Sequence, residues 1–385
     1  MQDSNAQFFV QTYRKKPLVI HGGSGSFLST NDGSKYLDFL SGISINNLGY
    51  ADALIKNKIA EQLGKIIHPS NYYYTDVQIK LAEELIKVSG LDKVFFANSG
   101  TEANEACLTF LQTYGKSVGK DTIIVPEGSF FGRTYGSRIL ATGGDFYGLK
   151  IKNVPFNDVT ALEQAISEDT LAVAVELVLG HGGIKAIDQK CVDVIVAKQM
   201  RYGTVIMVDE VQTGLGRTGS MFRFQQLGMK PDLVTIGKSL GGGLPLSAAL
   251  VSERIAKLIQ PGRYGCTMGG NSLACAAGLA LLETLENPEI FEKMAKKSAL
   301  ISGELVELSN EYPEVIREVR CFGLMCGLEL YDAEKAASVV SACMESKLLV
   351  DIVNKHTIRI APPFTVSEEE ILLAKDILHK ACSSI

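Results

Sequence analysis

Five short apolar runs with helical stretches between them constrain this chain more than any other feature. Residues 94–97, 122–125, 171–176, 204–208 and 233–236 read as strands, and residues 101–114 and 189–201 as helices. Strands this apolar are buried on both faces, which predicts an α/β fold with a mainly parallel sheet between helices. At 385 residues the chain exceeds one small core and fits a large domain with a smaller one. Asn31-Asp32-Gly33 separates two alternating runs and predicts a hairpin across residues 27–40. Residues 51–63 repeat apolar positions at helical spacing. Past Asn271 long helices dominate, at 273–286 and 289–311, with strand-like pieces at 324–330 and 357–360. The expected organisation is an N-terminal segment, 1–45, packing with a small α+β domain, 271–385, beside a large domain, 46–270.

Composition narrows the function classes. Apolar residues make up 46% and charged residues 21%, the balance of a soluble globular protein. Net charge is −5, and no basic cluster is longer than Arg14-Lys15-Lys16, so neither nucleic acid nor a membrane is an expected partner. The eight cysteines form no C-x-x-C pair and read as small buried hydrophobes of a reducing compartment. The five histidines lack ligand spacing, so no metal is expected. Residues 1–10 are polar without a signal-peptide apolar core, and no apolar run reaches about 18 residues. A cytoplasmic location is expected.

Ligands of an open parallel sheet gather at the carboxyl ends of its strands. Those ends carry Asn98-Ser99-Gly100-Thr101, Glu176, Asp209 and Lys238. Ser99, Gly100 and Thr101 open a helix after a strand, which suits either a phosphate cradle or an ordinary helix cap. Asp209 and Lys238 end strands about one strand-helix-strand unit apart. They read either as a structural salt bridge or as a buried carboxylate beside a Schiff-base lysine, with Gly237 and Gly241 to Gly243 giving a ring close access. Gly214-Leu-Gly-Arg-Thr-Gly219 imitates a dinucleotide fingerprint, but it starts five residues past the strand, and the following strand ends in Lys238 rather than an acid. Gly237-Lys238-Ser239 imitates a P-loop but has Asp232 where the first glycine is required.

These residues lie within a longer series: Asp38-Phe-Leu-Ser-Gly-Ile, His68-Pro-Ser-Asn-Tyr-Tyr, Asn98-Ser-Gly-Thr-Glu-Ala-Asn-Glu and Gly132-Arg-Thr. Val208-Asp-Glu-Val-Gln-Thr-Gly-Leu-Gly-Arg-Thr-Gly, Pro231-Asp-Leu-Val-Thr-Ile-Gly-Lys, Gly269-Gly-Asn and Ile358-Arg-Ile-Ala-Pro-Pro follow. In this order they resemble the class III, acetylornithine/ornithine-type aminotransferases of pyridoxal phosphate fold type I, over nearly the whole chain. The resemblance implies pyridoxal 5′-phosphate as cofactor. It makes Lys238 the aldimine lysine and proton shuttle, and Asp209 the partner of the pyridine nitrogen. Gln212 would face the ring oxygen, Val211 and Phe130 the ring faces, and Ser99, Gly100 and Thr101 the phosphate. Thr267 would reach the phosphate of a neighbouring subunit, implying a homodimer with shared active sites. Arg133 and Arg359 would bind substrate carboxylates, with Tyr13 at the substrate mouth.

The implied reaction moves an amino group from an amino acid, with an ω-amine donor as one option, to a 2-oxo acid such as 2-oxoglutarate. The same cofactor supports racemisation, epimerisation or decarboxylation, which stand as the alternative, and a non-catalytic relative would be expected to lose Lys238 first. The chain departs from the family pattern at Glu176-Leu177 and at Gly180-His181-Gly182-Gly183, where the relatives carry Glu-Pro and Gly-Glu-Gly-Gly. Phe131 and Ser272 also depart. In ornithine-type relatives the glutamate at the place of His181 pairs with the arginine matching Arg359. A near-neutral His181 would leave Arg359 open to a carboxylate in both half-reactions, and would disfavour a donor carrying an ammonium there; the alternative is that another acidic side chain shields Arg359 and His181 merely packs.

Overall fold

The strands Thr170–Glu176 and Val205–Asp209 are buried at every position, as their unbroken apolar sequence demands. They lie at the centre of an eight-stranded sheet in a computed structural model that describes residues 8–385. Part of the polar stretch 1–10 and of segment 1–45 therefore lies outside the described residues. The sheet order is Lys93–Ala97, Ser247–Val251, Leu233–Ile236, Val205–Asp209, Thr170–Glu176, Thr122–Pro126, Leu149–Val154 and Gly144–Phe146. Neighbours run parallel except where Ser247–Val251 and the edge strand Gly144–Phe146 turn against the rest. Helices Gly100–Val118, Gln189–Tyr202 and Ser272–Leu285 turn buried apolar faces inward.

The strand directions bring the carboxyl ends of Lys93–Ala97, Thr170–Glu176, Val205–Asp209 and Leu233–Ile236 to one edge. Register fixes neighbours there: Asp209 lies opposite Glu176 on one side and Thr235 on the other. Beyond Ala97 the chain turns at once into a helix. Ser99 caps it, with Oγ accepting from Glu102 N–H at 3.4 Å, while the Glu102 carboxylate accepts from Asn98 N–H at 3.0 Å.

The C-terminal antiparallel sheet has the order Ile316–Phe322, Met325–Leu330, Thr357–Ile360 and Asp351–Val353. The hairpin Phe27–Thr30 and Lys35–Asp38 forms where the Asp-Gly turn predicts it. It joins the C-terminal part of the chain directly, because Lys35–Asp38 pairs in parallel with Leu348–Leu349.

One expectation about cysteine is corrected. Cys321 and Cys326 face each other across the hairpin and are joined by a disulfide, while the other six are free. A C-x-x-C search does not find them because four residues separate them, and a hairpin with the two-residue turn Gly323-Leu324, not a metal knuckle, brings them together.

Arg217 is fully buried and has no carboxylate partner among the described residues. Nη1 donates to the carbonyls of Leu324 at 2.9 Å and Pro362 at 2.6 Å, and Nη2 donates to Ser41 Oγ at 3.1 Å and to Asn47 Oδ1. It ties the loop after Asp209 to the N-terminal turn and to the exit of the Thr357–Ile360 strand.

Candidate active site

Asp209 closes its strand 4% exposed, where an ionised carboxylate needs donors. Asn104 Nδ2 donates to Oδ2 at 2.7 Å and the Val211 N–H to Oδ1 at 2.9 Å. Burial pushes the Asp209 carboxyl up from its ordinary value; Asn104, Val211 and the Lys238 ammonium oppose that shift. Glu176, its register neighbour, is pushed up to about 8, first by burial and then by Asp209. Its oxygens accept from Phe130 N–H at 2.7 Å and Gly180 N–H at 3.3 Å, so one carboxyl group pins the two loops that flank the site.

Lys238 follows its strand by one glycine and holds φ at +47°, a left-handed conformation rare for a side-chain-bearing residue and recurrent at functional sites. Burial lowers its pKa to about 8, with Arg359 adding to the effect and Asp209 and Glu176 opposing it. Lys238 and Asp209 act on each other electrostatically yet form no ion pair among the described residues. A structural salt bridge would close that gap; a group lying between them requires it.

Gln212 is 4% exposed, and neither its Nε2 nor its Oε1 has a partner among the described residues. An orphaned buried amide is costly unless a ligand completes it. Gly180 leaves the room it uses, since a Cβ there would stand 2.0 Å from Gln212 Oε1. Gly100 likewise admits Val211, whose Cγ1 would lie 2.7 Å from an added Cβ. An acidic ring-nitrogen partner, an unsatisfied amide, a buried amine of lowered pKa and a helix N-terminus fit pyridoxal phosphate. The Asn98 N–H and the Ser99 hydroxyl already serve Glu102, the latter at 2.9 Å, and the Glu102 N–H goes to Ser99 Oγ, so the backbone N–H groups of Ser99, Gly100 and Thr101 are the donors that suit its phosphate.

On the substrate side four residues form a chain of ring contacts. Phe130 and His181 stack at 4.0 Å between centroids, and the Arg133 guanidinium lies 5.9 Å from the Phe130 centroid and 5.6 Å from that of Tyr13. Burial, then Arg359, Lys238 and Arg133, lower the His181 pKa to about 4, so the ring is neutral at pH 7. Arg359, 1% exposed, is not open as expected. Asp351 engages it in a fork, accepting from Nε at 3.0 Å and from Nη2 at 2.5 Å, while Nη1 donates to Gly180 O at 3.4 Å. The alternative holds instead: another acid shields Arg359, from the adjoining strand, while His181 packs against Phe130.

Thr267 is exposed and belongs to a different feature. It lines a cavity of about 1040 Å³ with His68, Asn71, Tyr72, Tyr74 and Tyr264, and its carbonyl accepts from Asn71 Nδ2 at 3.3 Å. Two contributors were missed in the sequence, Asn104 and Asp351. Asn104 had a signal: it lies on the buried face of helix Gly100–Val118 among Ala103, Cys107, Leu108 and Leu111, where a polar side chain needs a partner. No cluster of three or more His, Cys, Asp or Glu suited to a metal occurs among the described residues.

The family model for class-III aminotransferases matches residues 9–382. The acetylornithine aminotransferase of Methanocaldococcus jannaschii is 39% identical over 379 residues, covering 96% of this chain and 94% of that one. That of Methanothermobacter thermautotrophicus is 36% identical over 386 residues, covering 98% and 97%. Among solved structures, the ornithine aminotransferase of Toxoplasma gondii ME49 superposes with a TM-score of 0.92 at 25% identity, covering 99% of this chain and 93% of that one. The N-acetylornithine aminotransferase of Stenotrophomonas maltophilia K279a gives 0.86 at 29%, covering 99% and 98%. These likenesses favour amino transfer over racemisation or decarboxylation. The chain belongs to the class-III aminotransferases, enzymes of pyridoxal phosphate fold type I, and catalyses pyridoxal-phosphate-dependent transfer of an amino group between an amino acid and a 2-oxo acid.

Proposed function

We propose that the enzyme takes an amino group from the distal end of an acetylornithine-like donor and gives it to a 2-oxo acid such as 2-oxoglutarate, with Lys238 as the covalent anchor of the cofactor. The orphaned Gln212 amide, three residues past Asp209, carries the reading, because no described residue completes it. Pyridoxal phosphate, when bound, supplies an electron sink for the pair left when a C–H bond at the reacting carbon breaks. Asp209, steadied by Asn104 and Val211, would hold the ring nitrogen. Gln212 would donate to the ring oxygen. Val211 and Phe130 would pack against the ring, with Phe130 kept in place by Glu176 through its backbone N–H. Ser99, Gly100 and Thr101 would hold the phosphate at the helix N-terminus. Lys238 Nζ, with its lowered pKa, takes the proton from the reacting carbon and returns it. Arg133 and Tyr13 receive the donor's carboxylate end, and Arg359 the acceptor's carboxylate.

The protein acts as a cytoplasmic homodimer in which Thr267 completes the partner's phosphate site. Supporting this, Tyr72 and Tyr74, 94% and 87% exposed, stand beside the Thr267 cavity, an aromatic surface that suits burial against another chain. Borohydride reduction of the purified enzyme tests the anchor: the phosphopyridoxyl label should sit on the Lys238 peptide, and a label elsewhere refutes it. A donor panel with 2-oxoglutarate, followed by cofactor absorbance, tests the substrates.

A further inference from the structure

Asp351 and Arg359 lie on the neighbouring strands Asp351–Val353 and Thr357–Ile360, and register sets them directly opposite. The carboxylate occupies the side edge of the guanidinium, formed by Nε and Nη2. Of five N–H donors, two go to Asp351 and one on Nη1 goes to Gly180 O. What remains is one N–H on each of Nη1 and Nη2. Arg359 cannot turn another edge to the substrate without breaking a fork buried to 1% exposure on the arginine side. The acid belongs to a strand rather than a loop, so the fork is built into the sheet.

We infer that Asp351 determines specificity: it fixes the Arg359 guanidinium and cancels its charge, so this end of the site accepts a neutral or cationic substrate terminus and binds a carboxylate, the acceptor's included, less tightly than a bare arginine would. The favoured donors are compounds whose reacting amine sits on a carbon bearing no carboxylate. This rests on the reading of Arg359 as a substrate contact. A carboxylate docked on the remaining N–H groups meets the Asp351 charge across the guanidinium, a repulsion that water at the 30% exposed Asp351 screens only in part. An ammonium approaching the same place meets a compensated pair instead of a bare cation.

A plain strut between two strands would leave substrate preference untouched, which separates the readings. On the holoenzyme, the dissociation constant of glutarate, a dicarboxylate with no amine or carbonyl to react, is measured by calorimetry for wild type, Asp351→Asn and Asp351→Glu. The same three proteins are assayed for kcat/KM with N-acetylornithine and with glutamate. Asp351→Asn keeps an acceptor for Nε but removes the charge. It should tighten glutarate about tenfold and shift the kcat/KM ratio about tenfold toward glutamate, whereas Asp351→Glu should keep the wild-type preference. Glutarate binding that is unchanged or weaker in Asp351→Asn overturns the inference. Asp351→Ser reads the same way if the asparagine variant does not fold. Tighter glutarate binding with no wild-type turnover of either donor would instead overturn the proposed substrates and leave the role of Asp351 standing.

Discussion

Phe130 and His181 stack with their planes 22° apart, so a residue expected to attend Arg359 packs against an aromatic ring. Its titration gives a test. The folded-state pKa is lowered to about 4, while in the unfolded chain it lies near 6.5. Between those values the unfolded chain binds the extra proton, so stability is lost as pH falls through 6.5 toward 4. His181→Phe preserves a stacking partner and removes the titration. Urea midpoints at pH 5 and pH 7.5 should therefore lie closer together in the variant, the effect at pH 5 being about 2 kcal/mol. An unchanged gap would place the acid sensitivity elsewhere.

Lys238 should react as an amine of pKa about 8. At pH 7 about a tenth of it is neutral, against a few parts in ten thousand for an ordinary lysine. Stopped-flow rebinding of pyridoxal phosphate to apoenzyme should accelerate up to about pH 8 and then level. A rate still climbing past pH 9 would mean that burial does not set the Lys238 pKa.

Asp209 and Asn104 make a graded pair. Asp209→Asn leaves the ring nitrogen a neutral partner and should lower kcat by about 100-fold or more. Asn104→Ala removes one donor from a buried carboxylate and should cost roughly tenfold, with cofactor retained. Single-turnover rates with one donor separate the two. Equal losses would mean that Asn104 positions something other than Asp209.

Subunit mixing checks the role of Thr267. Lys238→Ala and Thr267→Ala chains, combined and exchanged, should yield heterodimers with one site free of both substitutions and one carrying both. Activity should rise above that of either parent. Proven exchange without a rise would put Thr267 outside the partner's site.

The sheet was legible where sequence alone dictates burial. Leu233–Ile236 and Thr357–Ile360 have the bounds their apolar runs predict, and Val205–Asp209 is displaced by one residue. Ser247–Val251 was missed because its Ser-Ala-Ala start carries neither alternation nor β-branched residues and follows a glycine-rich stretch. Glu176, Asp209 and Lys238 were legible because a strand end announces itself in apolar context. Asp351 was not. Its meaning depends on the register of a two-strand pair, and pairing across a turn is set by geometry that a linear pattern does not carry.

The parallel pairing of Leu37 with Leu348 sets a schedule for synthesis. The hairpin leaves the ribosome early, but the strand it pairs with appears about 300 residues later, on the order of 15–60 s at ordinary elongation rates. Ser26 waits still longer for Glu370, whose carboxylate accepts its hydroxyl at 2.8 Å. During that interval Lys35–Asp38 presents an unpaired edge to whatever is nearby. The nascent chain is then most open to capture by chaperones, and to pairing with a neighbouring polypeptide on the same message.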